Sequence, residues 1–137
     1  INVNYVGKDS LFKWPYGFIF RKLGGIPVNR KESTNFVETM VNLYNQYDEL
    51  AFAIEPEGTR KKVTKFRSGF YYIAHKAKVP IILVKFDFQH KEVDFSEPFY
   101  TTGDYKEDMK YIVDYFRGTL GIHPELACQW EDEVINN

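Results

Sequence analysis

A single cysteine, Cys128, stands among the 137 residues. One thiol cannot close an internal disulfide, which fits a reducing compartment. No thiol-nucleophile motif surrounds it, so a small core residue is its expected role. No run of 18 apolar residues occurs, so no transmembrane helix is expected. No secretory leader opens the sequence, although one ahead of Ile1 stays open. Gly-x-x-x-x-Gly-Lys-Ser/Thr and Gly-x-Gly-x-x-Gly are both absent, which removes the nucleotide-binding readings built on them. No His, Cys and Asp cluster has metal-ligand spacing, so no metal is expected. No nucleic-acid module is recognisable, and nucleic acid is not an expected partner.

What the chain does have is apolar and aromatic mass, 44% and 18% of residues, which excludes disorder. Its length suits one domain with one core. The net charge of −1 conceals a division. Residues 1–85 hold 14 Lys or Arg against 7 Asp or Glu, and residues 86–137 hold 4 against 12. A cationic first part suits an anionic ligand or an anionic membrane surface.

The stretch from Leu50 to Arg60 changes character abruptly. An apolar run ends at Pro56, which cannot donate to a sheet ladder. Glu57, Gly58, Thr59 and Arg60 follow, with Lys61, Lys62, Lys65 and Arg67 close behind. A buried strand that ends in Gly and cations marks the carboxyl edge of an α/β sheet, where anionic ligands bind. Gly58 lets backbone approach a ligand, and Arg60 offers a planar fork for phosphate or carboxylate. The plain alternative is a polar loop with Glu57 and Arg60 paired at the surface.

Pro56-Glu-Gly-Thr-Arg60 resembles the third signature block of the glycerolipid acyltransferases, the lysophosphatidic acid acyltransferase family. Gly25-Ile-Pro-Val-Asn-Arg30 resembles the second block. Phe66-Arg-Ser-Gly69 and Val79-Pro-Ile-Ile-Leu-Val84 resemble the segment and the fourth block that follow. The family's first block, His-x-x-x-x-Asp, has no counterpart. Five places after His75, His90 and His123 stand Pro80, Phe95 and Cys128. The resemblance therefore implies a single acyltransferase-like domain over residues 1–137 whose catalytic segment lies upstream of Ile1.

Strand and helix signals alternate along the chain. Ile1–Val6 reads as a strand, and Leu11–Leu23 as two short helical pieces divided by Pro15 and Gly17. Its aromatics, Phe12, Trp14, Tyr16, Phe18 and Phe20, interleave with Lys13, Arg21 and Lys22. That mixture suits either a membrane interface or a core helix with snorkelling cations, and packing is the favoured expectation. Ile26–Asn29 reads as a strand, residues 35–47 as a helix, Leu50–Glu55 as the central strand and Ser68–Lys78 as a helix. Val79–Phe88 reads as a strand, Gln89–Tyr100 as a hairpin arm and residues 104–117 as a helix opened by Asp104. The pattern predicts a three-layer α/β fold, with helices on both faces of a mixed, mostly parallel sheet.

The resemblance implies transfer of a fatty acyl group from acyl-CoA or acyl carrier protein to the hydroxyl of a lysophosphatidic acid-like acceptor. No cofactor is needed beyond that co-substrate. Such transfer needs a base, oxyanion donors and a held acceptor. The residues of this chain supply the third. Arg30 and Arg60 each follow a strand, and two Arg can clamp one phosphate. Lys8, after the first strand, is a candidate third cation. Glu57 is expected to order the loop while pointing away from the phosphate, and Thr59 to donate to it or to brace the turn. Localisation is expected to be cytoplasmic, with peripheral contact on the cytoplasmic face of a membrane. The alternative is a non-catalytic lipid- or phosphate-binding relative that lacks the His-Asp pair.

Overall fold

A computed structural model describes residues 3–28, 36–59 and 61–126. The chain divides into two compact units, Ile1–Glu55 and Pro56–Asn137.

In the first unit, β1 (Val3–Lys8), β2 (Gly25–Val28) and β3 (Ala51–Phe52) form a sheet in the order β2-β1-β3. Both pairings are parallel: Tyr5 stands opposite Gly25, Lys8 opposite Val28, and Val3 opposite Ala51. Parallel neighbours need crossover connections. The first contains a 3₁₀ turn, Asp9–Phe12, and a short helix, α1 (Gly17–Lys22). The second contains α2 (Phe36–Tyr44), whose Met40 is wholly buried. Leu50–Glu55 is expected to be the central strand, but among the described residues β1 takes that place. Both crossovers return to β1, and among the described residues β3 pairs with it at Ala51 and Phe52.

The expected division of Leu11–Leu23 into two pieces is present, and its aromatics separate accordingly. Phe12 is buried, with its ring edge-on to Phe20 at 6.1 Å. The Tyr5 hydroxyl donates to the Phe20 carbonyl at 3.1 Å. Gly25 lies beneath them, where a Cβ would stand 2.6 Å from the Phe20 carbonyl oxygen and 2.8 Å from the Phe12 ring. The packing expectation fails for Trp14 and Phe18, which are 92% and 70% exposed. A six-residue helix offers one inward stripe, and here it runs through Gly17 and Phe20, three positions apart. Phe18 and Ile19 fall on the other side.

The second unit is built on α3 (Gly69–Ala77) and α4 (Tyr105–Phe116). Tyr71, Ile73 and Ala74 are the buried face of α3. Lys78 ends it in a left-handed conformation, φ 55°, and Val79 N–H donates to the Ala74 carbonyl at 3.1 Å. Val79–Phe88 is not one continuous strand. Ile81 bridges Phe99 first, and β4 (Val84–Asp87) then pairs antiparallel with β5 (Glu92–Phe95) as a hairpin. Leu83, Met109, Ile112 and Val113 are the core, ringed by Phe66, Phe70, Phe99 and Phe116. Asp104 caps α4 as expected, its carboxylate accepting from the N–H groups of Lys106 and Glu107.

Asp108 is 3% exposed, yet it is fully served. Its carboxylate accepts from the Tyr71 hydroxyl at 2.8 Å, Thr102 N–H at 2.8 Å and the Thr102 hydroxyl at 2.9 Å. The pair ties α3 to the start of α4. Burial, and then the Asp108 carboxylate, push the Tyr71 hydroxyl up to about 12.

Candidate functional site

The candidate residues divide between the two units. Lys8 closes β1, opposite Val28 at the end of β2. Arg30 comes two residues after Val28 in the sequence and lies outside the described residues, as does Arg60. Because β1, β2 and β3 are parallel, their carboxyl ends share one edge of the sheet. Lys8, Arg30 and Arg60 all follow such ends in sequence.

Glu57, Gly58 and Thr59 are described, and the loop that carries them is closed by the chain itself. Arg67 N–H donates to the Pro56 carbonyl at 2.8 Å. The adjacent Phe66 anchors this closure in the core, edge-on to Phe116 at 5.8 Å and to Phe70 at 6.5 Å. Within the loop Gly58 has φ +62°, a region that disfavours a side chain. A Cβ there would stand 2.7 Å from Nε and 2.8 Å from Cδ of Arg67, so the arginine stem lies across the glycine. Thr59 Oγ1 accepts from Lys61 N–H at 3.2 Å, which braces the turn and leaves its own proton to donate. Glu57 is half-buried, and Lys61, Lys62 and Lys65 are exposed.

Sequence reasoning does not single out Arg67 as a site residue. The structure brings its exposed side chain onto the Glu57–Thr59 loop, nine residues away in sequence from Gly58. The available signal was the tract itself: a Gly-centred turn followed by Phe-Arg-Ser-Gly, an anchor beside a cation.

All three histidines have polar neighbours. His90 Nδ1 stands 2.9 Å from Asp87 Oδ2 at the exposed tip of the β4–β5 hairpin. The hydrogen bond to Asp87 raises the His90 imidazole above its ordinary value and lowers the Asp87 carboxyl. Asp87 precedes His90 by three residues and also accepts from Gln89 and His90 N–H groups, so it caps a turn. His75 Nδ1 meets Thr101 Oγ1 at 2.9 Å and stacks on Tyr71, and His123 stands 3.1 Å from Glu125.

Residues 2–86 match the family model described as Acyltransferase. Human 1-acyl-sn-glycerol-3-phosphate acyltransferase beta is 29% identical over 106 residues, covering 74% of this chain and 38% of that protein. A 1-acyl-sn-glycerol-3-phosphate acyltransferase of Haemophilus influenzae is 32% identical over 97 residues, 66% of this chain and 40% of that protein. The chain thus spans about two fifths of the length of these curated relatives. No solved structure gives a significant match.

Proposed function

The chain belongs to the acyltransferase family, and from that premise we propose that the intact protein moves a fatty acyl group from acyl-CoA or acyl carrier protein to the hydroxyl of a lysophosphatidic acid-like acceptor. The observation that carries this reading is the loop from Pro56 to Arg67, closed at its base and centred on a left-handed Gly58. A loop of this kind holds backbone and cations ready for an anionic group, so ordering is done before the ligand arrives.

In the proposed reaction the acceptor oxygen forms a bond to the thioester carbonyl carbon, and the carbon–sulfur bond breaks. The acceptor proton goes to a base and the thiol leaves. Residues 1–137 contribute the acceptor side: Arg60 holds the phosphate, Thr59 donates a hydroxyl proton to it and Glu57 orders the loop, while Lys8 and Arg30 are phosphate-binding candidates at the carboxyl edge of the first unit's sheet. None of the three histidines has the spacing of the family's His-Asp block. The base therefore comes from outside these residues, and 1–137 alone does not turn over. The proposal carries with it a three-layer α/β fold with a mostly parallel sheet, supported by the parallel β2-β1-β3 ladder.

The test is kcat/KM of the intact protein, with an acyl donor, on lysophosphatidic acid and on its dephosphorylated analogue. Turnover that prefers the phosphorylated acceptor is expected. Headgroup binding without any turnover in the intact protein would establish the non-catalytic relative instead.

A further inference from the structure

We propose that the Leu11–Leu23 segment docks the protein on an anionic lipid surface. Six large apolar residues stand out from thirteen consecutive positions: Leu11, Trp14, Tyr16, Phe18, Ile19 and Leu23. Trp14 is 92% exposed, Phe18 70%, and Tyr16 and Leu23 65% each. Leu11, Trp14, Tyr16 and Ile19 line one shallow groove, and Leu23 lies one helical turn from Ile19. Soluble monomers rarely expose so much apolar surface in one place. Trp and Tyr are also the side chains that settle at the headgroup level of a bilayer.

Charge selects the occupant. Lys13, Arg21 and Lys22 are exposed within the segment, and Asp9 beside it is the nearest acid in sequence. Among the described residues none of these three cations is in an ion pair. A second apolar surface, on the β4–β5 hairpin, shows the contrast. There Phe86, Val93 and Phe95 are exposed on one face, while Asp87, Glu92 and Asp94 stand on the other with Lys85, which is paired with Asp94 at 3.1 Å. The acids of the hairpin disfavour anionic lipid nearby, whereas the Leu11–Leu23 segment, with three cations and no acid, would be drawn to it. Among the described residues no helix is long and apolar enough to cross a membrane, and a short amphipathic segment of this kind is suited to lie in the interface. The inference accompanies the proposed acyltransferase reading, whose acceptor is a lipid, but it is tested by binding alone.

The test is co-sedimentation of residues 1–137 with vesicles of phosphatidylcholine, with and without phosphatidylglycerol. Retention on the phosphatidylglycerol vesicles is expected, weakening as salt rises. The triple variant Lys13→Glu, Arg21→Glu, Lys22→Glu should lower it on the order of 100-fold, at about 1 kcal/mol for each cation lost. The double variant Trp14→Ser, Phe18→Ser should lower it by about 100-fold or more with an unchanged circular dichroism spectrum, since burying each such ring is worth about 1.5–3 kcal/mol. In the Trp130→Phe background, Trp14 emission should shift to the blue with these vesicles. Equal retention of the charge variant, or an unshifted Trp14 emission, overturns the proposal. So does unfolding of the double variant, which would make the rings core. A dimer that the double variant converts to monomer overturns it too, because a second copy would then cover the face. Turnover of the intact protein on a short-chain, monomeric lysophosphatidic acid tests the acyltransferase reading separately, without any surface.

Discussion

Gly58→Ala is the substitution that most directly interrogates the loop. Two effects oppose the new methyl group. The backbone has φ +62°, where an L-residue is disfavoured by about 1–2 kcal/mol. The methyl would also stand 2.7 Å from Arg67 Nε. Against these, alanine restricts the unfolded chain and returns about 0.4–1 kcal/mol. The Arg67 contact is the cheap part, because an exposed side chain can swing aside. The net loss is then about 1 kcal/mol, nearly all of it from the backbone. Arg67→Ala alone should change stability by less than about 0.5 kcal/mol, as exposed substitutions do. Urea unfolding of residues 1–137 measures all three quantities, read as midpoint shifts at constant slope. In a double-mutant cycle the coupling between Gly58→Ala and Arg67→Ala should be within about 0.3 kcal/mol of zero. A Gly58→Ala protein as stable as the parent would refute the left-handed turn. Recovery of most of the loss by Arg67→Ala would show that the side-chain clash, not the backbone, sets the cost.

Two further outcomes concern pH. Tyr71 has a folded value raised to about 12, so its stabilisation is complete below the ordinary 10.0 and is lost as pH rises through about 12. Tyr71→Phe should cost roughly 1.5–3 kcal/mol at neutral pH, the worth of a hydrogen bond to a carboxylate, and should flatten alkaline unfolding in that window. An identical alkaline profile would refute the raised titration of Tyr71. At the hairpin tip His90 is raised from 6.5 and Asp87 lowered from 3.8. The His90 contribution is present below 6.5 and fades above it, and the Asp87 contribution is present above 3.8 and fades below it. Amide exchange at His90 should therefore be slowest, relative to Asp87→Asn, between those two values. A flat profile, after correction for intrinsic exchange, would show that the pair does not hold the turn.

The legible parts of the chain were those set by local chemistry. Asp104 announced α4, and the spacing of Met109, Ile112, Val113 and Phe116 gave its buried stripe. The parallel pairing of β1 with β2 and β3 followed from alternating strand and helix signals. What was not legible depended on contacts across sequence. Trp14 and Phe18 resemble core residues by type, but Trp14 stands in the turn before α1, and on that six-residue helix Gly17 and Phe20 occupy the one inward stripe. Val79–Phe88 reads as one strand, yet Ile81 and Val84–Asp87 take different partners. Arg67 reaches Gly58 only because its own N–H closes the loop on Pro56. In the site, the glycine-centred turn was readable from Pro56-Glu-Gly-Thr, whereas the arginine lying across it was not. Arg30, Arg60 and Cys128 fall outside the described residues.

The central claim is that Arg60 and its loop hold an acceptor phosphate. The direct measurement is kcat/KM of the intact protein and its Arg60→Ala variant on lysophosphatidic acid and on the dephosphorylated analogue. Loss of one charge-assisted hydrogen bond is worth roughly 1.5–3 kcal/mol, or about 10- to 150-fold. The account expects that loss on the phosphorylated acceptor and little change on the analogue. An equal loss on both acceptors would contradict it.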